Sequence, residues 1–224
     1  MHLQINKKIL IYVFLFILLG TFNNKNLNKI ELFKIKNIKI IGLRDNEKYQ
    51  LNNQLEFFKS KNLYFLDKLK IENILNSNNL IKDYSIFKRY PSTIEVNINR
   101  ANFLAKVQKN GKNFYFASNG KLIHKKKYIK QLPFIFGKFK NKDFFDLLNV
   151  INNSKFDYSE IKNLFFFSSG RWDIETHSGV IIKLPRDRLK EAFDLTLRIL
   201  SQNNFGQIKI IDVRQKNQVI INER

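Results

Sequence analysis

The stretch from Asp83 to Arg100, DYSIFKRYPSTIEVNINR, constrains the fold of this chain more than any other. Residues 84–88 are rich in aromatic and β-branched side chains. The proline of Tyr90-Pro91 fixes its own φ and keeps the preceding residue out of the helical region. After this turn, apolar and polar residues alternate with a period of two, which is typical of a strand with one buried face. The stretch therefore predicts a β-hairpin whose inward residues include Ile94, Val96 and Ile98.

A strand and two helical segments precede this hairpin. Apolar and polar residues alternate over most of residues 33–41, and the segment is followed by Gly42, which permits a turn. Asp45 is in position to cap a helix that runs to about Phe58. Asp67 is predicted to cap a second helix, whose inward-facing residues are Leu69, Ile71, Ile74 and Leu75. The order strand, helix, helix, strand, strand predicts a small α+β module in which two helices cover a three-stranded sheet.

A second block of strands and helices begins near Asn102. Turn signals such as Asn110-Gly111 separate short apolar segments, which is typical of β-hairpins. Two stretches have helical periodicity, 143–152 and a clearer one from Pro185 to about Gln202. The predicted strands are 103–109, 114–117, 122–123, 164–167, 171–176, 180–184, 208–213 and 219–221. The block therefore predicts a mixed β domain with covering helices.

The amino-terminal part carries an uncharged apolar run, Ile9 to Phe22, after a short basic lead of residues 1–8. A spanning helix takes roughly 17–25 residues, but flanking lysines can snorkel and the bilayer can thin locally. The run also suits the apolar region of a signal peptide, although Gly20-Thr21-Phe22-Asn23 is a poor cleavage site. A buried helix of a soluble domain is a third interpretation. We predict an uncleaved transmembrane signal anchor over 9–22 and a polar spacer over 23–32.

The lysines around this run leave its orientation open. Lys7 and Lys8 precede it, whereas Lys25, Lys29 and three further lysines up to Lys39 follow it. By the positive-inside rule, this count favours the cytoplasm for the residues after the run, which is opposite to the orientation that export of the domains requires. Long domains translocate largely regardless of charge, so the rule decides little here.

The net charge of +21 prompts a nucleic-acid or anionic-membrane hypothesis. The lysines are dispersed from Lys7 to Lys216, however, and the densest basic run is the short His124-Lys125-Lys126-Lys127. Abundant Lys, Asn, Ile and Phe together are typical of AT-rich coding. The pattern therefore favours a solvated basic surface over a specific nucleic-acid site.

No motif in the sequence supports catalysis, a metal or a cofactor. The three histidines have no partner at metal-ligand spacing. Cysteine is absent, which excludes disulfides and thiolate chemistry. Neither a nucleophile elbow nor a glycine-rich phosphate loop occurs. With 44% apolar residues the chain can still form a core, and we predict a folded, non-enzymatic binding protein with neither metal nor cofactor.

The order and spacing of several short motifs resemble the FtsQ/DivIB family of bacterial cell-division proteins over nearly the whole chain. Ile38-x-Ile40-x-Gly42 looks like the opening strand of that family's POTRA domain. Arg89-Tyr90-Pro91-Ser92-Thr93-Ile94-x-Val96-x-Ile98 looks like its hairpin. Further landmarks are Asn119-Gly120, Leu132-Pro133, Gly137, Arg171-Trp172-Asp173-Ile174, Gly179, Leu184-Pro185 and Asp212-Val213-Arg214. The resemblance implies a POTRA domain over 33–101 and a carboxyl-terminal β domain over 102–224.

The resemblance also implies a function. Such a chain is a non-catalytic scaffold of the divisome with one pass through the inner membrane. Its amino terminus, residues 1–8, is expected in the cytoplasm and its two domains in the periplasm at the division septum. The POTRA domain is associated with recruitment. The second domain is expected to bind an FtsB–FtsL-like coiled-coil pair and so to connect with septal peptidoglycan synthesis.

A physical argument places the partner site at the last strand of the chain. An extended partner segment can add to an unpaired strand edge through backbone hydrogen bonds. Arg171 and Arg214 match family positions, and Arg171 is a candidate to bind acidic partner residues. Gln215, Asn217 and Val219 are included because of their predicted strand position alone. In the alternative interpretation, the two arginines are structural and pair with the neighbouring Asp173 and Asp212.

Two other classes of protein fit the sequence less well. A POTRA-type interaction protein of outer-membrane assembly or secretion is expected to carry several POTRA repeats, and the motifs here occur once. A nucleic-acid-binding protein is expected to cluster basic residues with exposed aromatic residues on one face, and the lysines here are dispersed. The sequence favours the division scaffold.

Overall fold

A computed structural model describes residues 7–22, 33–124, 132–202 and 208–223. Its contacts divide the chain into two compact units, one up to Arg100 and one from Ala101 onward. The helices are α1 Lys7–Phe22, α2 Asp45–Leu55, α3 Lys68–Ser77, α4 Asn141–Asn152 and α5 Leu189–Gln202. The strands are β1 Asn37–Ile41, β2 Ile81–Arg89, β3 Thr93–Arg100, β4 Phe103–Lys109, β5 Lys112–Ala117, β6 Leu122–Ile123, β7 Phe134–Phe136, β8 Ile161–Phe166, β9 Trp172–Thr176, β10 Ile181–Lys183, β11 Ile208–Asp212 and β12 Ile220–Glu223.

Helix α1 contains the apolar run for which a membrane anchor is predicted. It extends over 16 residues and includes the two lysines that precede the run. Within the described ranges, no helix combines the length and the hydropathy of a membrane span.

In the described part of the first unit, three strands form a mixed sheet in the order β1-β3-β2. Strand β1 runs parallel to β3, and β2 pairs antiparallel with β3 across a turn with a cis Tyr90-Pro91 peptide bond. The alternation of β3 buries the three residues expected on its inner face, Ile94, Val96 and Ile98. The predicted hairpin is confirmed. Strand β1 begins at Asn37, so the part of the alternation that starts at Phe33 is not strand.

Helices α2 and α3 share one core with this sheet. The buried residues that they contribute are Leu51, Leu55, Ile71 and Leu75. The Asp67 carboxylate accepts a hydrogen bond from the Leu69 backbone N–H at 3.1 Å, which confirms the predicted cap of α3. The strand, helix, helix, strand, strand order is therefore present, with the helices covering the apolar face of the sheet.

Three details of the predicted helices are wrong. Arg44 is the residue before the first helical turn of α2, so Asp45 is the first residue of the helix and not its cap. The α-helix ends at Leu55 and continues as a 3₁₀ turn over Glu56–Ser60. The side chain of Leu69 is 68% exposed although its spacing predicted an inward position. Leu69 lies in the first turn of α3. The spacing of the apolar residues alone does not decide whether a side chain at the start of a helix faces the core.

In the described part of the second unit, nine strands form one mixed sheet in the order β12-β11-β10-β9-β8-β7-β4-β5-β6. Antiparallel hairpins such as β8–β9 alternate with parallel neighbours such as β7–β8 and β10–β11. Helices α4 and α5 contribute buried side chains to the core of this sheet, among them Phe144, Leu147, Phe193 and Leu200. The second unit is the mixed β domain with covering helices that the sequence predicted.

Candidate partner-binding site

Strand β12 is the terminal strand of the nine-stranded order. It pairs antiparallel with β11 on one side, from Asp212 opposite Ile220 to Ile208 opposite Glu223. Among the described residues, no strand pairs with its other side. All four of its side chains are exposed, including Ile220 and Ile221. An edge of this kind offers backbone N–H and C=O groups together with apolar side chains to an added strand.

The predicted site residues other than Arg171 lie in the connection between β11 and β12. Arg214, Gln215 and Asn217 are exposed there, and Asn217 has a φ of 60°. Val219 is half-buried and packs against the core of the second unit. The assignment of Gln215, Asn217 and Val219 to the last strand is therefore wrong, because β12 begins at Ile220. These residues instead lead into the edge strand.

Arg214 forms an ion pair with Asp212, two residues before it. Its Nε donates to Oδ1 at 2.8 Å and to Oδ2 at 3.0 Å, its Nη2 donates to Oδ2, and its backbone N–H donates to Oδ1 at 3.1 Å. The hydrogen bonds from Arg214 hold the pKa of the Asp212 carboxyl below its ordinary value, against the opposing effect of burial. The pair holds the guanidinium at the point where the chain leaves β11.

Arg171 has a looser relation to Asp173. Arg171 Nε lies 3.8 Å from Asp173 Oδ1, and within the described residues neither of these two buried atoms has a hydrogen-bond partner. The guanidinium of Arg171 also lies over the ring of Phe167, with 4.3 Å to the ring centroid. Burial raises the pKa of the Asp173 carboxyl, and the positive charges of Arg171, Lys183 and Arg214 only partly oppose this. Both structural pairs that the sequence suggested are thus present, one tight and one loose.

Arg171 and Arg214 line the same shallow cavity, with a volume of about 350 Å³. We name it the arginine cavity; its lining residues are Ser169, Arg171, Pro185, Arg186, Asp187, Arg188 and Arg214. Arg186 and Arg188 were missed by the sequence reasoning, although Arg186-Asp187-Arg188 directly follows Leu184-Pro185. The lining includes four arginines and one aspartate. Arginine binds carboxylates through paired N–H donors, so the cavity suits an acidic side chain. Gln215, Asn217 and Val219 do not line this cavity.

The strand register places the arginine cavity at the end of the sheet where β12 begins. Asp173 of β9 lies opposite Lys183 of β10, Lys183 opposite Asp212 of β11, and Asp212 opposite Ile220 of β12. Arg171 precedes Asp173 by two residues, Arg186 follows Lys183 by three, and Arg214 follows Asp212 by two. Because β9 runs antiparallel to β10 and β10 runs parallel to β11, all three arginines lie beyond the same end of the sheet. A strand added beside β12 would thus have one end near the cavity.

The histidines and acidic side chains bear on a possible metal site. Within the described ranges, no group of three or more His, Asp or Glu side chains is placed to hold a metal ion. His177 lies after β9 and donates its backbone N–H to the Glu160 carbonyl at 2.9 Å, which continues the antiparallel pairing of β8 with β9 beyond Ile161 and Thr176. The candidate site consists of the edge strand β12 and the arginine cavity.

The described residues form a POTRA-type module followed by a mixed β domain, in which no described strand covers the outer edge of β12. Residues 33–99 match the model of the POTRA domain, FtsQ-type, and residues 105–214 match that of the cell division protein FtsQ/DivIB, C-terminal. The chain belongs to the FtsQ/DivIB family of bacterial cell-division proteins. The second matched stretch ends at Arg214, so β12 lies beyond it.

Two curated relatives carry the same family name. The chain is 26% identical over 192 residues to the cell division protein FtsQ of Rickettsia bellii (strain RML369-C), which covers 84% of this chain and 72% of the relative. It is 22% identical over 163 residues to the cell division protein FtsQ of Bradyrhizobium diazoefficiens, which covers 71% of this chain and 48% of the relative. The chain thus spans about half the length of the second relative.

Proposed function

We propose that this protein is a non-catalytic, membrane-anchored scaffold of the bacterial divisome. In this proposal α1 holds the chain in the inner membrane as a single pass, with residues 1–8 in the cytoplasm and both domains in the periplasm at the septum. The membership in the FtsQ/DivIB family supports it, as does the uncharged run Ile9 to Phe22. The POTRA domain takes the recruitment role.

The proposed partner of the second domain is an FtsB–FtsL-like coiled-coil pair that leads to septal peptidoglycan synthesis. An extended segment of this partner adds to the outer side of β12 as a further strand. The observation that carries this proposal is the open edge of β12 with its exposed Ile220 and Ile221. Backbone hydrogen bonds supply affinity in this mode of recognition, and side-chain pockets supply specificity.

The arginine cavity is proposed to receive acidic residues of the same partner segment. Arg171 and Arg214 contribute cationic donors there, and the neighbouring Arg186 and Arg188 raise the local positive charge. Gln215 and Asn217 are exposed beside the path of the added strand, and Val219 packs inward to fix the start of β12. The proposed interface therefore combines a backbone edge with a cationic end.

Two proline variants test the strand addition. Successive N–H groups of an edge strand point alternately to the neighbouring strand and to solvent. Of the two variants Ile221→Pro and Asn222→Pro, one therefore removes an N–H that points to β11, and the other removes an N–H that points to solvent. We expect one variant to lose thermal stability and the other to remain folded. The folded one should bind the FtsB–FtsL-like pair at least about tenfold more weakly in calorimetry, whereas Ile221→Ala and Asn222→Ala serve as matched controls. Wild-type binding by the folded proline variant would refute strand addition at β12.

The proposed topology is tested by two reporters fused after Arg224. A reporter active only in the periplasm should give signal, and one active only in the cytoplasm should not. The opposite result would exclude the periplasmic scaffold, and the positive charge would then require another explanation.

A further inference from the structure

Three segments of the POTRA module meet at one end of its sheet. The segments are 33–37, 57–65 and 88–93, and we call them together the basic aromatic end. The backbone N–H of Leu63 donates to the Phe33 carbonyl at 2.7 Å, and that of Lys36 donates to the Ser92 carbonyl at 2.8 Å. The Lys88 ammonium donates to the Tyr64 carbonyl at 2.9 Å. These contacts hold the three segments together as one surface.

The basic aromatic end exposes an unusual number of aromatic rings for a small module. The exposed fraction is between 38% and 63% for Phe33, Phe57, Tyr64, Phe65 and Tyr90. The rings of Phe33 and Tyr90 meet edge to face at 5.9 Å, and those of Tyr64 and Phe65 at 5.1 Å. Rings grouped at the surface in this way mark an interaction site more often than scattered apolar residues do.

The charged side chains of the three segments are all basic. The three segments contain Lys34, Lys36, Lys59, Lys61, Lys88 and Arg89 and no acidic residue. Lys59 pairs with Glu56 at 2.8 Å and Arg89 with Glu95 at 3.2 Å, and both carboxylates come from outside the segments. Aromatic rings interleaved with cations suit the interface of a bilayer, where rings lie at the headgroup level and ammonium groups approach phosphates.

The chain itself limits how far this surface can lie from the end of α1. Ten residues, 23–32, separate Phe22 from Phe33. A fully extended chain covers at most about 3.6 Å per residue, so Phe33 lies within roughly 40 Å of the end of the helix. The other end of the sheet, where Ile81 pairs with Arg100, is the far end of the module. Tethering at this distance gives the basic aromatic end a high effective concentration at any membrane that holds α1.

We propose that the basic aromatic end docks on the anionic phospholipid surface of the membrane in which α1 is anchored. The inference rests on the proposed anchoring of α1 and is independent of the partner site at β12. Aromatic side chains such as Tyr64 and Phe65 enter the headgroup layer, and lysines such as Lys34 and Lys61 approach lipid phosphates. Each lysine near an anionic surface is expected to strengthen docking about fivefold. Docking would orient the POTRA module with its far end away from the bilayer.

Single-cysteine variants test the proposal in the full chain, because the natural sequence has no cysteine. Ser60→Cys places an environment-sensitive fluorophore at the basic aromatic end. Lys82→Cys places it at the start of β2, which is the far end of the module. The labelled protein is reconstituted into vesicles of equal parts phosphatidylglycerol and phosphatidylethanolamine that contain a headgroup-quenching lipid. We expect quenching of the label at position 60 to be several-fold stronger than at position 82.

Substitutions in the Ser60→Cys background identify the groups responsible. Lys34→Glu with Lys61→Glu should reduce the docked population by at least tenfold, and Tyr64→Ser with Phe65→Ser should reduce it several-fold. Tyr49→Ser on α2 and Lys82→Glu on β2 are single-site controls for the two kinds of substitution, since both side chains are exposed outside the three segments. Replacement of the anionic lipid by phosphatidylcholine should have the same effect as the charge reversal.

Flotation of the vesicles separates the two proposals. Protein that floats while the label at position 60 remains unquenched, or is quenched equally at position 82, would overturn docking and leave the anchor intact. Protein that does not float would overturn both the anchor and the docking. Quenching that is unaffected by the loss of anionic lipid and by the charge reversal would also overturn the proposal.

Discussion

Arg100, the last residue of β3, binds Glu47 in the first turn of α2 with two hydrogen bonds. Arg100 Nε donates to Oε2 at 2.8 Å and Nη2 donates to Oε1 at 3.0 Å. The side chains are only 14% and 11% exposed. The backbone N–H of Arg44 also donates to Glu47 Oε2, at 3.4 Å. One carboxylate therefore joins the helix start to the end of the sheet.

Glu47→Ala should destabilise the POTRA module by about 3 kcal/mol, because it leaves the Arg100 guanidinium largely buried without its counter-charge. The measurement is amide hydrogen exchange of residues 33–100, which should become faster throughout the sheet. Glu72→Ala is the matched control, since Glu72 pairs with Lys68 at 3.5 Å on the surface of α3 and should contribute less than about 0.5 kcal/mol. Equal effects of the two variants would contradict this assignment.

Gly137→Ala should destabilise the second unit by about 3 kcal/mol or more. Gly137 has a φ of 98°, and a Cβ there would lie 2.0 Å from the Phe166 carbonyl oxygen. Gly111→Ala is the control, because Gly111 also has a positive φ, 73°, but has open space around its Cβ position; it should cost about 1 kcal/mol. Urea unfolding followed by the fluorescence of Trp172, the single tryptophan of the chain, measures both. A Gly137→Ala variant as stable as Gly111→Ala would contradict the close approach.

Asp173 and Asp212 should affect stability in opposite directions at neutral pH. Burial raises the pKa of Asp173, so its favourable contribution is present below the unfolded-state pKa of about 3.9 and is lost as the pH rises through the folded pKa. Hydrogen bonds from Arg214 lower the pKa of Asp212, so its contribution is present above the unfolded pKa and is lost as the pH falls through the folded pKa.

The corresponding asparagine variants check this sign. At pH 7, Asp173→Asn should raise the Tm and Asp212→Asn should lower it. The gain from Asp173→Asn should shrink as the pH falls to about 3, where the wild-type carboxyl is protonated in both states. A loss of Tm for Asp173→Asn at pH 7 would show that its attraction to Arg171 outweighs the effect of burial.

Arg186→Glu should weaken binding of the FtsB–FtsL-like pair by about tenfold or more if acidic partner residues enter the arginine cavity. Arg186 is preferable to Arg214 for this test, because removal of Arg214 would leave Asp212 without its ion pair. Lys112→Glu on β5 changes the net charge equally at an exposed position outside the cavity and should change affinity less than about twofold. Calorimetric titration measures both. An equal loss of affinity in the two variants would indicate that the partner is attracted only by the overall charge of the protein and that its acidic residues do not enter the cavity.

Local pattern predicted the hairpin and the cap of α3 because each depends on neighbouring residues. The alternation of Ile94, Val96 and Ile98 appears as three buried side chains on β3, and Asp67 caps the helix that follows it. The last strand was predicted from an apolar segment, but its boundaries were not. Asn217 with its positive φ turns the chain before Ile220, and this displaced three predicted site residues from the strand.

The sequence by itself determined the order of elements, the apolar faces and the family, since periodicity and motif spacing are properties of adjacent residues. Only the tertiary structure decided which groups from distant positions meet. The pairing of Arg100 with Glu47 joins residues 53 positions apart, and the arginine cavity gathers Arg171, Arg186 and Arg214 from three separate loops. These contacts depend on strand register and on the packing of whole elements, and no local pattern encodes either one.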